Sequence, residues 1–299
     1  MNTALNKWTY MARRERWEHP TLSYKLPLGF GGLLIVLSLI AVLIGNELLI
    51  DQAGNWETQI QLNGVEADLS SLGAPIANAG SAVTMGFGLL GLLVGWAYVL
   101  SALYQERKDR SILFWLSLPL SNTETVLAKW LYGWILLPMT YFLIGWVAGG
   151  IIVLISSIGA AAMVSDTALI AEAMVSDTAL IAEAMAIHGV GLASYAETMM
   201  VQVAWIAPFF AWSLLVSQWA LRTPLLWVLG VPLVATLVEN LLFDVAWLTD
   251  WFWSRANVSA EMMSSESVQS VQLGLGLIVA ALMIGCTIWS RRHCFDRLP

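Results

Sequence analysis

Gln105-Glu106-Arg107-Lys108-Asp109-Arg110-Ser111-Ile112-Leu113-Phe114-Trp115-Leu116-Ser117-Leu118-Pro119-Leu120-Ser121 lies between two long apolar stretches, and its reading decides the fold. The charges from Glu106 to Arg110 exclude this segment from hydrocarbon, while the residues after them are too apolar to lie free in water. A short helix at a membrane surface satisfies both halves. The stretches on either side are then membrane spans, and the segment is the loop between them, with an apolar face that another protein can grip.

Composition agrees. Hydrophobic residues make up 58% of the chain and charged ones 12%, against roughly 25% charged in soluble domains. Mean hydropathy is +0.72. The 16 tryptophans suit the boundary between lipid and water. Six stretches, near 26–45, 81–104, 126–158, 199–221, 225–243 and 271–290, reach the about 20 apolar residues that a helix needs to cross a bilayer. The first has no small-residue cleavage site after it and is too long for a signal-peptide core, so it is read as retained. Cys286 and Cys294 have neither metal-ligand spacing nor an evident disulfide pairing and are read as ordinary thiols.

Orientation follows from the 14 Lys and Arg residues. Lys7, Arg13, Arg14, Arg16 and Lys25 precede the first span, and Arg107, Lys108, Arg110 and Lys129 lie between the second and third. Arg222 separates the fourth from the fifth, and Arg291, Arg292 and Arg297 follow the sixth, which leaves Arg255 alone on the opposite side. This asymmetry puts both termini in the cytoplasm. The net charge of -7 arises from carboxylates of the outer loops, such as Glu47, Asp51, Glu57, Glu66 and Asp68, and no nucleic-acid partner is expected.

The expected fold is an all-α integral membrane protein with six transmembrane helices in one domain over 1–299. It has a cytoplasmic segment at 1–25, an outer loop at 46–80, a cytoplasmic loop at 105–125, outer segments at 159–198 and 244–270, and a cytoplasmic tail at 291–299. Within the second outer segment, Met163-Val-Ser-Asp-Thr-Ala-Leu-Ile-Ala-Glu-Ala173 is followed at once by an identical copy. Eleven residues are close to three helical turns, so the copy lengthens a helix while turning its face by only about 20°. It is read as a tolerated duplication, since a repeat array needs at least three units.

The cytoplasmic loop has an internal logic. Glu106 and Arg110 stand four residues apart and can pair on a helix continuing from the second span, for about 0.2–0.5 kcal/mol. Pro119 ends the short helix and disfavours helical geometry at Leu118. Ser121 and Glu124 have the spacing of a capping box from which the third span can restart. The result is a helix–break–helix lever joined to two spans, so that movement of 111–118 would reach both.

This arrangement resembles the ABC-2 type transporter permeases: a second span ending in Glu-Arg, a short apolar helix, Leu118-Pro119-Leu120-Ser121, then Glu124 and Lys129 at the start of a third span. Arg13-Arg14-Glu15-Arg16-Trp17-Glu18-His19 is similar to that family's interfacial helix, and six spans with both termini inside is its usual layout. The resemblance implies a coupling helix that docks on a separate ATPase subunit, with Glu106, Arg107, Arg110, Ser111, Leu113, Phe114, Ser117, Leu118 and Pro119 as coupling residues. It assigns Arg13, Arg14, Glu15, Trp17 and Glu18 to the interfacial helix. It also implies a second permease copy, the lipid bilayer as surroundings, ATP and Mg2+ on the ATPase rather than on this chain, and a bacterial cytoplasmic membrane as the location.

No Gly-x-x-x-x-Gly-Lys-Ser/Thr loop occurs, so any phosphate cradle must come from another polypeptide. Gly86-Phe-Gly-Leu-Leu-Gly91 lies inside a span and is read as a packing surface; Gly91/Gly95 and Gly145/Gly149 have the spacing that lets membrane helices approach closely. His19, His188 and His293 fall on both sides of the membrane, and no hydrolase motif is present, so no enzyme activity, catalytic residue or metal site is expected. Transport-path candidates are Glu239 and Asn240 near the outer end of the fifth span, and Gln202, Trp205, Trp212 and Gln218 along the fourth, where Pro208 is expected to cause a kink. Glu239 lines an outer vestibule or is simply exposed, and 244–253 has the acidic, aromatic character of the family's re-entrant outer hairpin. The alternatives to an exporter subunit are an ATP-independent carrier or channel and a membrane scaffold.

Overall fold

The computed structural model describes residues 2–63, 73–109, 121–165, 170–220, 222–242, 247–256 and 266–293, with side chains described for 8–44, 73–109, 121–162, 178–220, 222–241, 249–251, 254–255 and 270–293. The described residues form helices: α1 Asn2–Glu18, α2 Leu26–Asn63, α3 Gly73–Lys108, α4 Asn122–Leu131, α5 Leu137–Ser165, α6 Ile170–Trp219, α7 Pro224–Leu242, α8 Trp247–Ala256 and α9 Glu266–His293. Wide π turns, Thr21–Lys25 and Tyr132–Leu136, precede α2 and α5. Six segments are long and apolar enough to cross a membrane: Thr21–Ile44, Gly73–Lys108, Asn122–Ala162, Thr178–Trp219, Pro224–Leu241 and Ser270–His293. These correspond to the six stretches read from hydropathy.

The helices outrun the apolar stretches. α2 continues to Asn63 through part of the expected 46–80 loop, because the Glu, Gln and Leu there favour helix and no proline intervenes. The second copy of the duplication, 174–184, runs inside α6, as its three-turn length allows, whereas 166–169 lie outside the described residues.

The chain divides into two compact units. Unit 1 comprises Met1–His19, Gly91–Pro138 and Met200–Pro299, and unit 2 comprises Pro20–Leu90 and Met139–Met199. In unit 2, Phe87, Tyr141, Phe142, Val153 and Met199 are buried. Gly145 lies against the Phe87 ring and Gly149 against the Gly80 carbonyl, so this expected small-residue face does pack closely. In unit 1, Tyr98, Leu103, Val126, Phe210, Leu214 and Val228 form the interior.

Proline positions explain much of the local structure. A proline has no amide proton for the carbonyl behind it in a helix, and hydrocarbon offers no water as a substitute. Pro232 leaves the Val228 carbonyl without its partner, and the Trp212 indole N–H donates to that oxygen at 3.1 Å. Within the first π turn the amide of Leu26 reaches Thr21 O, so the next carbonyl, Leu22 O, would need the amide that Pro27 lacks; the Tyr141 hydroxyl donates to it at 2.9 Å. The second π turn repeats this arrangement with Leu137-Pro138, and there the Gly133 carbonyl lies where a Cβ on Gly95 would stand. Only glycine at 95 admits that carbonyl, in the direction of a Cα hydrogen.

Three buried serine and threonine hydroxyls are satisfied within their own helices. Thr84, Ser213 and Thr287 donate to Gly80 O, Phe209 O and Met283 O, each four residues back.

Candidate functional site

Four charged side chains meet inside unit 1 where the ends of four helices converge. Glu15 comes from α1, Glu106 from the last turn of α3, Lys129 from α4 and Arg291 from the end of α9. All four are buried, with 2%, 6%, 4% and 2% of their surface exposed. They alternate in sign: Lys129 Nζ lies 3.4 Å from Glu15 Oε1 and 3.3 Å from Glu106 Oε1, and Arg291 Nη1 lies 3.0 Å from Glu106 Oε2. Two anions and two cations cancel, the condition under which charges tolerate burial. Tyr98 donates its hydroxyl to Glu15 Oε2 at 2.5 Å, and Arg14 Nη2 adds a further contact to Glu15 at 3.2 Å.

Local sequence places each member. Ser121 and Glu124 make the expected capping box, with Glu124 N donating to Ser121 Oγ at 3.2 Å and Ser121 N to Glu124 Oε2 at 2.9 Å. With its first amides satisfied, α4 starts at Asn122 and turns Thr125, Val126, Lys129 and Trp130 inward on one face. On α1, Met11 and Glu15, one turn apart, form the buried face, while Tyr10 and Trp17 stay exposed.

Burial raises the Glu15 carboxyl pKa, but the Lys129 ammonium, the Tyr98 hydroxyl and the Arg14 guanidinium outweigh it and hold the group below its ordinary 4.5. Glu15, Glu18 and His19 also lie close enough together to resemble a metal site. Glu15 is nevertheless engaged with Lys129, and Glu18 with Arg14 Nε at 3.0 Å, so both carboxylates already have cations.

Further bonds tie the same region together. Arg107 donates to Ser217 O at 2.9 Å and Ala220 O at 2.7 Å, capping the C-terminal end of α6 where carbonyls lack helical partners. Trp219 donates to Ser290 Oγ, and Arg292 to Thr123 Oγ1.

Of the expected coupling residues, Glu106 belongs to this cluster and Arg107 binds the end of α6 beside it, whereas Arg110, Ser111, Leu113, Phe114, Ser117, Leu118 and Pro119 lie outside the described residues. The expected Glu106–Arg110 pair therefore lies outside the described residues, and within them Glu106 pairs with Lys129 and Arg291. Among the residues expected on an interfacial helix, all of them on α1, Arg13 is exposed with Trp17, Arg14 pairs with Glu15 and Glu18, and Glu15 alone points into the interior.

In the sequence Arg291 stands out only as a topology marker, and Tyr98 does not stand out at all. The available signal was an ionisable residue inside an apolar pattern, as at Lys129 between Ala128 and Trp130.

The transport-path candidates do not form one constellation. Trp205 and Trp212 share one region with Arg255, whereas Gln218 is buried about 24 Å along α6 from Gln202. Glu239 is half-buried and accepts from Thr249 N at 2.9 Å and Thr249 Oγ1 at 3.1 Å, which satisfies one amide in the first turn of α8; Asn240 is exposed. Comparison of the chain with family models, with curated proteins and with solved structures gives no match.

Proposed function

We propose that the chain is the membrane-spanning permease subunit of an ATP-driven exporter of the ABC-2 type. Two permeases would work with two copies of a separate ATPase in a bacterial cytoplasmic membrane. The observation that carries this reading is the buried Glu15–Lys129–Glu106–Arg291 cluster. Segment 110–120 is flanked by Glu106 and Arg107 on one side and by the capped start of α4 on the other. Both flanks are fastened to α1 and α9 through the cluster, and Arg107 adds the end of α6.

A push delivered to 110–120 would then be carried as a rigid displacement into several spans rather than absorbed by a slack loop. In this reading both termini and the 105–125 loop face the cytoplasm, and ATP hydrolysis takes place on the partner. Nucleotide drives the change only by binding one conformation of the assembly more tightly than the other.

The test is copurification with the ATPase, followed by reconstitution. An ATPase should copurify with the intact chain and be lost on Phe114→Asp with Leu118→Asp, and proteoliposomes holding both proteins should transport only with ATP. Transport by the chain alone, or retention of the ATPase by the double variant, would overturn the proposal. The capping role of Glu239 weighs against its use as the ion-coupling carboxylate of an ATP-independent carrier.

A further inference from the structure

A cavity of about 360 Å³ lies within unit 1 between α6, α7, α8 and α9, walled by Phe209, Trp212, Val231, Pro232, Trp251 and Met283 among others. Its size falls within the roughly 300–1,000 Å³ of small-molecule sites. The lining is apolar except at Arg255, which is only 4% exposed.

Arg255 is held firmly. Its guanidinium carbon lies 4.4 Å from the Trp205 ring centre and 4.8 Å from that of Trp251. Nη1 donates to Trp205 O at 2.8 Å and Nη2 to Gln272 O at 2.5 Å. Gly276 makes the approach to α9 possible, since a Cβ there would stand 2.7 Å from the guanidinium carbon. Carbonyls and rings use its protons and faces without cancelling its charge. Among the described residues no carboxylate forms an ion pair with Arg255, and its Nε has no hydrogen-bond partner. A buried cation without an anion is costly, and an anionic group entering the cavity would remove that cost.

We propose that this cavity binds an amphiphile with an anionic head, the head on Arg255 and the hydrocarbon chain along the wall formed by Phe209, Trp212 and Met283. The anion could be the carboxylate of a free fatty acid or the phosphate of a membrane lipid. The inference stands apart from the ATPase reading, since it concerns what the chain binds and not what drives it.

The test is equilibrium binding to the purified full-length chain in a non-ionic detergent, with oleate and oleyl alcohol as probes of equal chain length. Oleate should bind at least tenfold more tightly, and equal affinity, or no oleate binding, would overturn the proposal without recourse to any variant. Displacement of oleate by phosphatidylglycerol but not by phosphatidylcholine would support a lipid phosphate as the source, and resistance to both would support the free acid. Arg255→Gln should weaken oleate binding about tenfold, and Ala235→Trp, which fills the cavity while leaving the cation in place, should abolish it. Unchanged oleate binding in a folded Ala235→Trp chain would also refute the proposal.

Discussion

Val228 O and Leu22 O show how single residues settle the interior. Each lies behind a proline that cannot serve it, and each is reached by a side chain from a distant part of its own unit, Trp212 or Tyr141. Trp212→Phe keeps an aromatic ring but leaves a buried carbonyl unsatisfied, so thermal unfolding in detergent should show a loss of about 1–3 kcal/mol. Trp227→Phe, at a side chain 57% exposed, should stay within about 0.5 kcal/mol. Lys129→Met removes the cation that Glu15 and Glu106 share, leaving them Arg14 and Arg291, and should cost about 3–5 kcal/mol in the same assay, with part restored when Glu15→Gln is added. Glu15 also sets an acid limit. Because its pKa is lower in the folded chain, the stabilisation it gives is fully present above about pH 4.5 and is lost as pH falls through the lower native value. The stability gap between the parent chain and Glu15→Gln should therefore narrow in melts taken from pH 6 down to pH 3.5.

At the scale of elements, the capping box was legible because its signal is local: Ser121 and Glu124 lie three residues apart and the geometry follows. Ser121→Ala should cost about 1 kcal/mol, seen as earlier loss of hydrogen-exchange protection in 122–126 while the amides of α7 stay unchanged. Helix existence was equally legible, since about 20 apolar residues in a row admit few alternatives. Helix length was not. Hydropathy reports where water stops, whereas α2 stops where its backbone bonds stop, and the polar 46–63 continues the helix after the oil has ended. The π turns were also missed, although Leu26-Pro27 and Leu137-Pro138 mark both of them; the marker is one proline, and the widened turn depends on what receives the displaced carbonyl.

For the whole molecule, six spans could be read from the sequence, but the charge cluster could not. Positions 15, 106, 129 and 291 are far apart along the chain, and nothing in their separate neighbourhoods announces that they meet. The apolar 18-residue stretches of the spans differ in how many residues they bury: 11% in the first, 17% in the fifth and 22% in the sixth, against 50% in the fourth. Leu33, Leu37, Leu233, Leu237 and Leu282 are exposed on those three, as suits contact with lipid. The sidedness proposed here is checked by single cysteines in a chain carrying Cys286→Ser and Cys294→Ser. Arg13→Cys, Lys108→Cys and Arg222→Cys should react with an impermeant maleimide only after the cytoplasmic face is opened, and Asn78→Cys should react in intact cells.

The widened turn at Tyr132–Leu136 has one more consequence, for the screw of the chain. A helix rotates by about 100° per residue, so deleting one residue there would shorten the span by only about 1.5 Å while swinging Lys129 far around the axis set by Leu137 and Pro138. Insertion into the bilayer would tolerate that deletion; the ionic joint would not, because its fourth charge would face the wrong way. Those five residues thus act as a phase setting, invisible to hydropathy, that tells an otherwise featureless greasy rod which way to point its one ammonium.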